Sequence, residues 1–191
     1  PSGEILMSIS KFFNLKPDYF LKKNTLELGI PLFRKKASLP KKIEDSIIEK
    51  VRDYVERYIE IENIVGIEPV FDNPLKSFVI TNVQQAELAA DRLREVWQIG
   101  NDPIPNVIEM LELKGIKVLL IDDVDEIDGL AVFTSTGLPV VVVNKRNKPI
   151  ERIRFTILHE LAHLLLNINS NDTEKICHRF ASCFLLPTEM L

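Results

Sequence analysis

The spacing of apolar residues predicts four helices in the first 115 residues. Apolar side chains recur at helical intervals over Glu4–Phe13. A stripe with intervals of four and three residues runs from Ile47 to Val65, which predicts a long helix from Ser38 to about Val65. Two further helices are predicted over Asn82–Ile99 and over a shorter segment that ends at Gly115.

Short strands and two more helices are predicted in the rest of the chain. Ile116–Ile121 forms one strand, and Gly129–Thr134 with Pro139–Asn144 forms a hairpin around a tight turn. A helix through Arg154–Asn167 and a second one between Asp172 and Pro187 follow. The fold class is therefore α+β, with an apolar helix packed beneath a small, mostly antiparallel sheet.

That apolar helix carries two of the three histidines in the chain. The run RFTILHELAHLLLN places His159 and His163 four residues apart, with Glu160 directly after the first. Residues at this interval share one helix face, so both imidazoles can converge on one metal ion. The pattern H-E-x-x-H is that of a zinc-peptidase helix, in which the glutamate is the general base. The alternative is a helix with two chance histidines, one of them satisfied by a backbone carbonyl.

The next helix offers a third ligand, which a catalytic zinc site needs besides an open position for water. Glu174 and His178 lie four residues apart and share a face. We predict Glu174 as the third ligand, and His178 as either a partner of a ligand or an alternative ligand. Glu174 could instead be an exposed first-turn glutamate favoured by the helix dipole. Cys177 is favoured as a core residue over a ligand.

These two helices resemble those of the ImmA/IrrE-type metallopeptidase family. RIRFTILHELAHLLL, followed by E...CHRFASCFLLP, is similar to its R-F-T-x-x-H-E-x-x-H-x-L and E-x-x-A-N-x-F-A-x-x-L-x-P segments. The sequence departs at Cys177 and His178, where the family more often has Ala and Asn. The resemblance covers about residues 67–191 and implies a minimal zincin-like core. It implies a Zn²⁺ ion with three protein ligands, His159, His163 and Glu174. It also implies Glu160 as the general base.

The resemblance also implies a task, the cleavage of a helix-turn-helix transcriptional repressor. Loss of the repressor would induce stress-response or mobile-element genes. One alternative is a DNA-binding regulator whose zinc site senses metal or ligand without catalysis. Another is a structural zinc site, which would need His178 or a cysteine as a fourth ligand. The intact Glu160 favours the peptidase, because a metal sensor needs no general base there.

The N-terminal segment GEILMSISKFFNLKPDYFLK resembles the last helices of a lambda-repressor-like (XRE) helix-turn-helix domain. We expect residues 1–37 to be the remnant of that domain with a basic linker, 38–66 a connecting helix, and 67–191 the peptidase domain. We also expect a fragment of a longer protein that lacks part of both ends. DNA contact is then expected only through the largely missing helix-turn-helix domain.

Charge and cysteine content are compatible with an intracellular protein that works near DNA. Residues 1–52 hold eleven Lys and Arg against six Asp and Glu, which suits proximity to DNA, although an ordinary solvated linker would look the same. Cys177 and Cys183 lie six residues apart on one predicted helix, too far for a disulfide, so a reducing cytoplasm is expected. The sequence contains no run of 18 uncharged apolar residues, so no membrane span is predicted.

Two surfaces carry predictions about partners. The stripe within residues 43–65 forms either a homodimer seam or, as we favour, a face that packs on the protein's own core. The run PVVVVN is either a buried central strand or an edge strand that binds the substrate backbone, and we favour the edge. The residues predicted to contact substrate are Val140, Val141, Val142 and Val143.

Overall fold

The computed structural model describes residues 2–21, 26–29, 32–35, 40–67, 70–122 and 127–187. The helices are α1 Gly3–Phe13, α2 Lys41–Val65, α3 Val83–Val96, α4 Val107–Leu113, α5 Ile150–Leu165 and α6 Thr173–Leu185, with a 3-10 turn at Pro17–Leu21. The strands are β1 Leu32–Lys35, β2 Val79–Ile80, β3 Lys117–Ile121, β4 Ile127–Phe133, β5 Pro139–Asn144 and β6 Asn167–Ile168. None of these helices is long and apolar enough to cross a membrane.

The main sheet has four strands in the order β1-β4-β5-β3. Strand β4 runs antiparallel to β1 and to β5, whereas β3 runs parallel to β5. The predicted hairpin is therefore confirmed, and β3 joins it through a parallel pairing. Strands β2 and β6 form a separate parallel pair that ties the segment before α3 to the turn after α5.

Strand β5 is central, so the prediction of a substrate-binding edge at Val140–Val143 is wrong. Val142 pairs with Leu130 of β4 on one side and with Leu119 of β3 on the other. All four valines are completely buried. An uncharged apolar run fits a strand that is covered on both faces, and its backbone groups are already bonded to its neighbours.

Helices cover both faces of this sheet. Val141 and Val143 belong to the larger core, which contains the apolar residues of α3, α5 and α6. Val140 and Val142 point the other way and pack in a smaller core with residues of α2. This alternation along β5 follows from the two-residue period of a strand. The active-site helix predicted beneath the sheet is α5, which packs against β4 and β5.

Helix α2 packs on the sheet with only part of the predicted stripe. Ile47 and Val51 are buried as predicted, but the buried face continues through Val55. Ile61 and Val65, which the stripe includes, are 61% and 59% exposed. The buried face follows the 3.6-residue period of a straight helix and so drifts away from a heptad stripe. Packing on the protein's own core thus holds for the first half of α2, and a homodimer through residues 43–65 stays a prediction.

The N-terminal segments contribute to the structure in two different ways. Helix α1 packs against the 3-10 turn and leaves Phe12 83% and Phe13 60% exposed. Strand β1 instead pairs with β4 and extends the sheet beyond the hairpin. The predicted start of α2 at Ser38 lies outside the described residues, and α2 begins at Lys41 after Pro40.

Substitution of Val142 by proline tests the central position of β5. Proline removes a backbone donor from a strand that is bonded on both sides, so we expect loss of the cooperative fold in urea unfolding followed by circular dichroism. Val142→Ala is the control, because it keeps the amide and costs only the buried methyl groups, so a weakened but folded protein is expected. A folded Val142→Pro variant would contradict the central position.

Candidate metal centre

Helix α5 buries two ionisable side chains at its centre. His159 and Glu160 are both completely buried, and the side chain of His163 one turn later is 11% exposed. The apolar residues that surround them on α5 lie against β4, β5 and α6. Burial of charge-capable groups in such surroundings costs free energy unless partners compensate for the lost water. The groups that contact these side chains therefore indicate the chemistry of the site.

Three side chains from α5 and α6 bring their ligand atoms close together. The Nε2 atoms of His159 and His163 are 3.2 Å apart. Oε2 of Glu174 is 3.3 Å from Nε2 of His159, and its Oε1 is 3.4 Å from Nε2 of His163. Tetrahedral zinc with bonds of about 2.0–2.1 Å separates its ligand atoms by about 3.3–3.4 Å. The distances from each histidine nitrogen to the other and to the nearer oxygen of Glu174 thus match the ligand–ligand distances of tetrahedral zinc.

Helix α6 brings Glu174 to this position. The helix begins at Thr173, and Glu174 stands in its first turn. At the other end of α6 the buried Arg94 of α3 donates a hydrogen bond to the carbonyl oxygen of Phe184 at 2.5 Å. The same guanidinium bonds the carbonyl oxygens of Gly100 and Asp102. The side chain of Glu174 is 57% exposed, so the centre is buried on the side of α5 and open to solvent on the side of α6.

Glu160 points to the sheet, where Gly129 of β4 makes room for it. A Cβ atom on Gly129 would lie 2.9 Å from both Cγ and Oε1 of Glu160, and 3.0 Å from Cγ2 of Thr156. Such distances are shorter than van der Waals contact. The backbone of β4 therefore passes directly over the carboxyl group, which only glycine permits.

Asp128, the residue before Gly129, fixes β4 to the start of α5. Its buried carboxylate lies 2.7 Å from Nζ of Lys148 and 3.2 Å from a guanidinium nitrogen of Arg152. The sequence pattern predicts Gly129 only as the start of a strand and does not indicate a role for Asp128. The strand pattern gave no signal for either role, because the contact partners lie 20 or more positions away in the chain.

Cys177 and His178 border the centre without belonging to its group of three. Sγ of Cys177 is 3.6 Å from Nδ1 of His163, the ring nitrogen that faces away from the other ligands. Burial, with the negative charges of Glu174 and Glu160, raises the pKa of the Cys177 thiol, so it stays protonated. The His178 ring lies edge-on to His159, with centroids 4.8 Å apart. Within the described ranges, His159, His163 and Glu174 are the side chains grouped closely enough to hold a metal ion.

Substitution of Gly129 by alanine tests the contact between β4 and Glu160. The added methyl group overpacks a buried site, so the free energy of unfolding in urea should fall by about 1–3 kcal/mol. The control is Gly3→Ala, where a Cβ atom meets nothing within 4 Å and stability should be unchanged or slightly higher. Equal stability of Gly129→Ala and wild type would mean that Glu160 does not lie against this strand.

Comparison with known proteins gives one family. The model of peptidase family M78, described as an IrrE N-terminal-like domain, matches residues 111–191. The comparison with curated proteins gives no match. The matched region runs from the end of α4 through α6 and contains every residue of the metal centre. Family M78 consists of zinc-dependent metallopeptidases, so the match suggests a metallopeptidase with a zincin-like core and agrees with the His-His-Glu group. It does not extend to residues 1–37, so the resemblance to a helix-turn-helix domain stays a prediction.

Proposed function

We propose that the protein is a zinc-dependent endopeptidase that cleaves a transcriptional repressor of the helix-turn-helix kind. The observation that carries the peptidase proposal is the convergence of His159, His163 and Glu174 at tetrahedral spacing. Glu160 is buried beside this group, and a general base is what distinguishes a hydrolytic site from a storage or structural site.

The donor set fits zinc, because two imidazole nitrogens and one carboxylate leave a fourth position for water or substrate. Zinc held there would lower the pKa of water to about 7 and polarise the scissile carbonyl. Manganese or iron would also accept these ligands, although zinc is preferred.

Glu160 performs the proton transfers in this proposal. Its carboxylate accepts a proton from the attacking water, and the resulting carboxylic acid then delivers that proton to the nitrogen of the leaving amine. The contact with Gly129 limits the rotamers of Glu160, so the carboxyl group is held in place before substrate binds. His178, whose ring lies beside His159, is proposed as a group that orients that ligand or stabilises charge near it.

The site constrains how a protein substrate approaches. Strand β5 is bonded on both sides, and residues 27–29 and 32–35 run along the outer edge of β4 and the residues just after it. Gly29 donates to the carbonyl oxygen of Phe133 at 2.7 Å in this pairing. The exposed side chain of Glu174 marks the open side of the centre, where the scissile bond would enter. The repressor substrate rests on the family resemblance alone.

The alternative is a DNA-binding regulator whose zinc site senses metal or ligand without catalysis. The exposed apolar residues of α1 favour it, since such a face suits a helix of an adjoining domain. A structural zinc site is less well supported, because it needs a fourth protein ligand. Cys177 contacts Nδ1 of His163, the nitrogen that faces away from the other ligands, and His178 lies outside the group of three. Neither residue is therefore placed as a fourth ligand.

Glu160→Gln tests the role of the general base. The amide has nearly the same shape but accepts no proton from water, so kcat on a purified candidate repressor should fall by about 10²–10⁴-fold. Zinc content and stability should stay near those of wild type. Glu151→Gln, an exposed residue on the same helix, should leave kcat unchanged. Cleavage is followed by mass spectrometry of the products.

Two results would count against the proposal in different ways. Wild-type rates in Glu160→Gln would remove the glutamate from the mechanism but leave the peptidase intact. A wild-type protein that holds zinc and cleaves no helix-turn-helix repressor or unstructured peptide would favour the regulator.

Loss of Glu174 and loss of His178 should differ in their effect on zinc affinity. Glu174→Ala removes a bond to the ion, whereas His178→Ala removes a supporting contact that costs about 10–100-fold at most. We expect the larger loss for Glu174→Ala when zinc affinity is measured by competition with a chromophoric chelator. Asp172→Ala, an exposed carboxylate before α6, is the control. Equal zinc affinity in Glu174→Ala and wild type would transfer the ligand role to His178 or Cys177.

A further inference from the structure

A second group of buried charges lies where the end of α2, helix α4 and the start of β3 meet. Lys117 of β3 forms an ion pair with Oε1 of Glu62 of α2, and their side chains are 1% and 10% exposed. Nζ of Lys117 also lies 4.2 Å from the centre of the Tyr58 ring, within the range of a cation–π contact. The pair joins two segments 55 residues apart in the chain.

This ion pair lines a pocket of about 400 Å³. Glu109 and Glu112 of α4 contribute two more carboxylates to the same pocket. Three carboxylates therefore face one ammonium group, which leaves an excess of negative charge. A volume of this size lies at the lower end of the range for small-molecule sites.

Two observations indicate that Lys117 alone does not compensate for the carboxylates in this pocket. Oε2 of Glu62 is buried and has no hydrogen-bond partner among the described residues. A buried carboxylate oxygen without a donor is costly, and Lys117 bonds only the other oxygen. Burial also raises the pKa of Glu112, an effect that Lys117 opposes and Glu62 reinforces. Both carboxyl groups would be stabilised by a further positive charge.

The rim of the pocket determines what kind of cation fits. Ile67, Val70 and Leu113 line it and are 55%, 81% and 79% exposed. A bare metal ion would make no use of these side chains. The carboxylates are also not grouped as metal ligands, since the group that meets that condition in the described part of the chain is the histidine centre. An organic cation would place its charge at the glutamates and its apolar part against the rim.

We propose that this pocket binds a small organic cation, an ammonium or guanidinium group on a short apolar chain. Glu62 and Glu112 accept hydrogen bonds from the cationic head, and Ile67, Val70 and Leu113 cover the apolar part. The bound ligand holds α2 against α4 and β3, so binding stabilises the folded protein. The proposal does not depend on peptidase activity, because the metal centre contributes no residue to this pocket.

The test uses n-butylguanidinium, n-butylammonium and the uncharged n-butylurea with the zinc-loaded chain. Binding is measured by isothermal titration calorimetry and by the shift of the thermal unfolding midpoint. We expect saturable binding of at least one of the cations with a Kd of about 1 mM or below, typical of so small a ligand. No saturable binding of either cation, or equal binding of n-butylurea, would overturn the proposal. The better cation identifies the head group, amine or guanidine.

Three variants locate the binding. Glu112→Gln keeps the Glu62–Lys117 pair and should weaken cation binding at least fivefold. Glu62→Gln should abolish binding, but it also leaves Lys117 without its carboxylate, so its fold is checked by circular dichroism. Glu60→Gln, an exposed residue of α2 outside the pocket, is the matched control and should bind like wild type. Unchanged affinity in Glu112→Gln, or an equal loss in Glu60→Gln, would place the cation elsewhere and refute the site.

Discussion

The convergence of two imidazoles of α5 with one carboxylate of α6 is the constraint on which the rest of this structure depends. Their ligand atoms are 3.2–3.4 Å apart, although Glu174 comes from a different helix. Such spacing demands that α5 and α6 keep one relative position to within a fraction of an ångström. Phe184 of α6 makes aromatic contacts with Phe180 and Trp97. Arg94 bonds the end of α6 and the loop that follows α3, and these contacts supply that rigidity.

The sheet serves the same centre from the other side. Strand β4 carries Gly129 over Glu160, and Asp128 ties this point of the strand to the start of α5. Strand β5 is buried on both faces and gives β4 a fixed neighbour. The sheet thus supports Glu160, the proposed general base, and the backbone groups of β4 and β5 are bonded within the sheet.

The two sides of the sheet carry two different candidate sites. The face with α5 and α6 carries the candidate metal centre, which falls within the region that matches the peptidase family. The other face packs on α2, which precedes that region and brings Glu62 to Lys117. A buried lysine–glutamate pair is costly to desolvate, and its presence beside a pocket suggests a role beyond stability.

The sequence by itself determined what depends on local spacing, and the tertiary structure decided what depends on distant neighbours. The four-residue interval of His159 and His163 fixed a shared helix face, and the position of Glu174 in the next helix indicated the third ligand. The hydrophobic pattern of a strand does not reveal its place in the sheet, so Val140–Val143 suited an edge strand as well as a central one. The pairing of β5 with both β3 and β4 decided for the central position. The contact of Gly129 with Glu160 and the pairing of Glu62 with Lys117 likewise join residues far apart in the chain, where no local pattern specifies a partner.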